Sequence, residues 1–169
     1  YPHSGRVAVF GDRRTNERDF AEVRKKVGFL FQDSEDQLFC PTVEEDIAFG
    51  PLNLGWSRGE VMSVVRRTLD RFHLREYEHR ITYKLSGGEK KLVSLAAVMA
   101  MKPRVLLLDE PVAGLDRAAR EMFLHILEEL DIPMIIISHN EEVHQRLSNK
   151  LYTMEEGCLH PPKSVAVRK

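Results

Sequence analysis

The chain has 169 residues, 25 Lys and Arg against 26 Asp and Glu, and a formal net charge of −1. Hydrophobic residues make up 43% and charged residues 30%, the balance of a globular domain with room for one sizeable core. Near neutrality gives no bulk attraction to nucleic acid or to an anionic membrane, and no apolar run approaches the ~20 residues that span a bilayer. Cys40 and Cys158 lie far apart and form no CxxC pair, which favours two reduced thiols over a disulfide. The seven histidines form no recognisable ligand cluster. No signal peptide is visible, and a start at Tyr1 without Met leads us to expect an incomplete N-terminus.

In chain order, residues 6–10 read as a short strand bracketed by Gly5 and Gly11, with Pro2 and Ser4 suited to the turn before it. Residues 19–26 read as a short polar helix, and 27–31 as a strand that ends at Gln32. Thr42 and Glu45 have capping-box spacing and open a short helix over 43–49, which Gly50 and Pro51 are expected to stop. Over 57–72, Val61, Val64, Val65, Leu69 and Phe72 recur at helical spacing, with Ser57 as cap and Glu60 answering it. The connector 73–83 carries His73 and His79, which read as surface or packing residues. Ser86-Gly87-Gly88-Glu89 repeats the capping-box spacing and opens a helix reaching Met101, with Leu92, Leu95, Ala96 and Met99 on its buried face. Two glycines there let an anion approach unpaired N–H groups at the positive end of a helix dipole.

The chain is organised around VLLLDEP at 105–111. Four apolar residues in a row read as a strand buried on both faces of a parallel sheet. Asp109 and Glu110 follow at its carboxyl end, where open α/β sheets bind their ligands. Adjacent carboxylates are costly there unless a cation or polar site receives them, and their mutual repulsion argues for a metal. Residues 117–130 are amphipathic, with Met122, Phe123, Ile126, Leu127 and Leu130 toward the core. A second apolar strand, 132–137, ends in Ser138 and His139. Residues 141–147 read as a short helix, 151–160 as a hairpin and 161–169 as a frayed tail. No GxxxxGK[ST] loop occurs. The nearest spacing, Gly50 to Gly55, lacks the lysine, and Pro51 has no N–H for a phosphate.

VLLLDEP with AGLD at 113–116 resembles the Walker B strand and D-loop of ATP-binding-cassette (ABC) ATPases. LSGGEKK at 85–91 is similar to that family's signature motif, IIISHN at 135–140 to its histidine switch, and FLFQD at 29–33 to its Q-loop. The four motifs stand in the family's order and cover nearly the whole chain. Residues 36–55, DQLFCPTVEEDIAFGPLNLG, look like the ATPases of cobalt, nickel and vitamin (energy-coupling-factor) importers, where this region docks on a helix of the membrane partner. The opening YPHSGRVAVFG resembles the segment that follows the family's Walker A loop, so that loop is absent here. Leu92 departs from the pattern where a basic residue is common, and Val112 where Thr or Ser is.

The resemblance implies an α/β fold: a P-loop NTPase-like, mostly parallel sheet core at about 1–33 and 102–169, an inserted α-helical subdomain at about 34–101, and a missing N-terminal part. It implies ATP and Mg²⁺ as cofactors and hydrolysis that drives an importer of cobalt or nickel ions or of vitamins. Asp109, with Gln32, would hold Mg²⁺. Glu110 would polarise the attacking water, and Gln32 and His139 would sense the γ-phosphate. Ser86, Gly87 and Gly88 would bind ATP held by the opposite subunit, and Asp116 would couple the two sites. The implied partners are a second ATPase subunit, in a head-to-tail homodimer or heterodimer, and an integral membrane transport subunit at the cytoplasmic face; nucleic acid is not among them. Residues 1–169 alone are expected to be inactive. The alternative is a catalytically incomplete ABC-like interaction module. A soluble ABC ATPase of DNA repair or translation would carry long extensions, which this chain lacks.

Overall fold

The computed structural model of the chain describes residues 4–161. Strand β1 (Val7–Val9) turns through Phe10 and Gly11, both at positive φ (55° and 85°), into an antiparallel β2 (Asp12–Arg14). Sequence reasoning missed β2, because Asp-Arg-Arg has no apolar alternation and its pairing comes from the turn. Helix α1 (Glu17–Arg24) starts two residues earlier than expected. Asn16 caps it by accepting from the Asp19 N–H at 3.1 Å, and the Asp19 carboxylate accepts from the Asn16 N–H at 3.3 Å. Strand β3 (Val27–Leu30) follows.

Helices α2 (Val43–Asn53), α3 (Arg58–Arg71) and α4 (Gly87–Ala100) come next, with two 3₁₀ turns (Arg75–Tyr77 and Thr82–Lys84) between the last two. The three capping boxes stand as read. Glu45 accepts from the Thr42 N–H and hydroxyl at 3.0 and 2.9 Å, Glu60 from the Ser57 N–H at 2.8 Å, and Glu89 from the Ser86 N–H at 2.7 Å. The stop at Gly50-Pro51 does not occur, and α2 runs one turn further. Added to Gly50, a Cβ would lie 2.6 Å from the Met101 side chain, so the glycine lets α2 close on the end of α4, and Pro51 is buried. Tertiary packing there outweighs the breaker signal.

Strand β4 (Val105–Asp109), helix α5 (Arg117–Glu128), strand β5 (Met134–Ile137) and helix α6 (Glu141–Leu147) complete the α/β part. A hairpin of β6 (Thr153–Glu155) and β7 (Cys158–His160) closes the described chain. Most of the expected tail, and Pro2, lie outside the described residues. The central sheet has the order β3-β4-β5, all parallel, with Leu30 opposite Leu108 and Asp109 opposite Ile137.

One core joins sheet and helices. Leu30, Leu106 and Leu108 share it with Ile47, Leu69, Leu95, Val98, Phe123 and Leu127. In β3, a Cβ on Gly28 would meet Val98 Cγ1 at 2.5 Å and Leu106 Cδ2 at 2.8 Å, so only glycine lets α4 sit this close to the sheet. Burial on both faces of β4 and β5 is not found among the described residues. Burial alternates along both strands, and Ile135 and Ile137 are 61% and 62% exposed. Helices pack on one face, while Phe29, Leu107 and Ile135 form a row across the other. Met122 is likewise exposed rather than in the core. Leu124, which periodicity did not mark, is buried in its place.

Candidate functional site

Parallel pairing of β4 and β5 delivers Asp109-Glu110 and Ser138-His139 to the same edge of the sheet. Glu110 leaves the strand at φ +42°, and its N–H donates to the Ile137 carbonyl at 2.9 Å. A non-glycine residue in this left-handed region costs about 1–3 kcal/mol and persists only where its surroundings fix it. The Glu110 carboxylate accepts from the His139 N–H (3.1 Å), from His139 Nδ1 (2.7 Å) and from the Ser138 hydroxyl (3.3 Å). Burial pushes the Glu110 carboxyl up, but hydrogen bonds and charge from His139, with the Ser138 bond, outweigh it and hold the carboxyl below its ordinary value. Glu110 is therefore ionised at neutral pH and able to accept a proton.

The loop carrying His139 is fixed from behind. Asn140 donates from its N–H to Ser138 Oγ (3.1 Å) and caps α6, and His144 Nε2 donates to the Ser138 carbonyl (2.7 Å). Arg146 ties α6 to α5 through Glu128 (2.8 Å) and Glu121 (2.9 Å). The His139 ring itself is 86% exposed, against 17% for the Glu110 side chain, and its second nitrogen has no bond among the described residues. Sequence reasoning did not pick out Ser138 as a partner of Glu110. Its place beside a switch-like histidine was the only available signal.

Asp109 opens into a cleft of about 690 Å³ that Gln32, Asp33, Gly87, Lys91 and Gly114 also line. The fold thus brings Gln32, Asp109 and Gly87 to one space, with the Glu110–His139 pair adjoining Asp109. Ser86 caps α4, its Oγ accepting from the Glu89 N–H at 3.3 Å. The two glycines divide their work. Nothing lies within 4 Å of a Cβ on Gly87, whereas a Cβ on Gly88 would sit 2.9 Å from Ala119 Cβ. Gly87 keeps the helix end open, and Gly88 lets α4 rest on α5. Asp116 caps α5, accepting from the Ala119 N–H at 2.9 Å. Among the described residues no three His, Cys, Asp or Glu side chains converge on a metal cage. Mg²⁺ does not need one, since it takes one or two protein oxygens beside phosphates and water. The Asp109 carboxylate forms no hydrogen bond among the described residues, and with Gln32 in the same cleft the donor set fits that ion.

A second feature lies on the helical side. Phe39 is 62% exposed, and its ring meets that of Phe49 edge-on, with centroids 4.6 Å apart. Leu52 is exposed on the same helix as Phe49. The loop below is pinned: buried Asp46 accepts from the N–H groups of Phe39 (3.1 Å) and Cys40 (3.0 Å), and the Thr82 hydroxyl donates to the Cys40 carbonyl (2.7 Å). Burial and the nearby Asp46 push the Cys40 thiol up to about 11. Leu38 packs on the core, whereas Phe39 faces outward.

These motifs and their geometry agree with the comparisons to known proteins. The family profile described as "ABC transporter" matches residues 1–113. The chain belongs to the ABC transporter family. It is 51% identical, over 160 residues, to a putative ABC transporter ATP-binding protein of Brucella suis, covering 95% of this chain and 67% of the relative. It is 41% identical to the energy-coupling factor transporter ATP-binding protein EcfA of Methanothermobacter thermautotrophicus, over 94% of this chain and 52% of that one. Among solved structures, CbiO1 of Clostridium perfringens, part of the ABC transporter complex CbiONQ, superposes with a TM-score of 0.83 at 32% identity. That match covers 94% of this chain and 65% of the other. This ABC chain thus spans about half to two thirds of the length of such relatives. Among the described residues, no helix is long and apolar enough to cross a membrane.

Proposed function

We propose that this chain is part of an ATP-hydrolysing subunit that powers a membrane importer. The observation that carries the reading is the Glu110 carboxylate, ionised and clamped by His139 and Ser138, next in sequence to Asp109, which lines the cleft. Phosphoryl transfer depends mainly on positioning and charge stabilisation. Glu110 would accept a proton from an attacking water, and His139, which holds the carboxylate, would offer its exposed ring to a γ-phosphate. Asp109 and Gln32 would hold Mg²⁺, which supplies charge neutralisation for the phosphates when bound. Ser86, Gly87 and Gly88, at an open helix N-terminus, would bind the nucleotide of a second ATPase subunit packed head to tail, and Asp116 would couple the two sites. A lysine-bearing phosphate loop is not among these 169 residues, so turnover by residues 1–169 alone is expected to be negligible.

The helical stretch 34–101 would act as the arm toward the membrane, with the Phe39–Phe49 pair and Leu52 as its apolar contact for a transport subunit at the cytoplasmic face. Similarity to EcfA and to CbiO1 of the CbiONQ complex supports import, and the resemblance carried by residues 36–55 points to cobalt or nickel ions or vitamins as the solute.

The test is Glu110→Gln in the full-length protein. Nucleotide binding should persist while steady-state ATP turnover falls at least ~10²-fold, the lower range of general-base contributions. Turnover within a few-fold of the wild type would overturn the assignment.

A further inference from the structure

Lys91 is a buried cation bonded to no carboxylate. It is 2% exposed, and its Nζ donates to the Phe31 carbonyl at 3.0 Å and to the Gln32 carbonyl at 2.6 Å. Burial pushes the ammonium below its ordinary value, and the charges of Asp33, Asp109 and Glu110 pull the other way. A desolvated ammonium needs strong acceptors, and here it has chosen the main chain. The choice has a geometric consequence. The Phe31 carbonyl belongs to the peptide group before Gln32, and the Gln32 carbonyl to the one after. One ammonium therefore holds both peptide planes that flank the Gln32 Cα, and with them the direction in which that side chain leaves the backbone.

Other bonds anchor the rest of this loop. The Phe31 N–H donates to Gln37 Oε1 (3.2 Å) and Gln37 Nε2 donates to the Phe29 carbonyl (3.1 Å), which fastens the loop to β3. Lys90 pairs with Glu35 at the surface. Lys90 and Lys91 are adjacent on α4, one turn beyond the Ser86–Gly88 end. The loop is thus tied to the sheet on one side and to the signature helix on the other.

We infer that Lys91 is a positioning residue. It sets the backbone of Gln32 from α4, so that the Gln32 loop and the Ser86–Gly88 turn move as one body. Under the proposed function, on which this part rests, the first element serves the subunit's own nucleotide and the second serves its neighbour's. Lys91 then links the two half-sites inside one chain.

Lys91→Met, which keeps the aliphatic stem and deletes the donors, tests this in the full-length protein. Hydrogen exchange read by mass spectrometry should speed up ~10-fold or more at the amides of residues 32–36, with β4 and the rest of α4 unchanged. In steady-state kinetics kcat should fall ~10-fold while KM for ATP stays within about twofold, the signature of a misplaced group rather than lost binding. Lys91→Gln, which keeps a shorter N–H donor, should fall between the two, and it carries the test if the Met variant does not fold. Unchanged exchange at 32–36, or faster exchange spread evenly through the core, would overturn the inference, as would a kcat equal to the wild type. A wild-type protein without ATPase activity would defeat the proposed function, and the exchange experiment would still decide whether Lys91 holds the loop.

Discussion

Helix α4 and strand β5 are both rich in aliphatic residues and dispose of them differently. In α4, Leu92, Val93, Leu95, Ala96, Val98 and Ala100 are all buried, and Ser86 and Glu89 close the helix end. In β5, Met134 and Ile136 face the core, while Ile135 and Ile137 face outward at an edge of the described sheet. A helix satisfies its own backbone, so neighbours need only cover its sides, and α2, α3 and β3 do so. A strand needs partners at both edges and on both faces. The helical side of this chain is finished by local rules, whereas the sheet side is half covered.

The sharpest way to break this contrast is a matched pair of truncations in the full-length protein. Leu95→Ala should cost about 2–5 kcal/mol in urea unfolding, the range for a buried leucine. Ile135→Ala should stay within about 0.5 kcal/mol if that face is open to water. An Ile135 effect as large as that of Leu95 would mean that a further part of the protein covers the sheet. A smaller effect probes the self-sufficiency of the helices. Ser57→Ala removes the cap of α3 and should lower stability by about 1 kcal/mol by calorimetry. No change would show that packing alone holds that helix.

The smallest effect is one of pH. Asp46 is buried on the helical side, and desolvation raises its carboxyl above the ordinary value although two N–H bonds oppose this. A raised folded-state value favours the folded form below the unfolded carboxylate range, an advantage lost as pH rises through the folded value. Asp46→Asn keeps an acceptor for the Phe39 and Cys40 N–H groups and removes the charge. It should match or exceed the wild type in denaturant midpoint at pH 7, and that gap should close toward pH 4. A gap that widens in acid would refute the sign.

What the sequence reveals follows the same division. Thr42, Ser57 and Ser86 with their glutamates mark helix starts because a cap involves residues only three positions apart. The carboxyl-end placement of Asp109, Glu110 and His139 follows from apolar runs that end in polar residues. The continuation of α2 through Pro51 was not legible, because its cause, Met101 against Gly50, lies fifty residues away. The positive φ of Glu110 and its clamp by Ser138 depend on strand register. In the sequence Lys90 and Lys91 are adjacent lysines with nothing to tell them apart, and only the packing of α4 against the sheet shows that Lys91 is buried.

Gly28 acts as a fulcrum. Helix α4 touches the sheet there through Val98, and its open N-terminal end at Gly87 lies eleven residues away, about 16 Å along a rod rising 1.5 Å per residue. A tilt of roughly 5° about that contact would carry Gly87 about 1.4 Å, half the length of a hydrogen bond. The absence of one methyl group in β3 thus sets the aim of a helix end far from it, and the short arm of the lever is the part of the chain with least room to change.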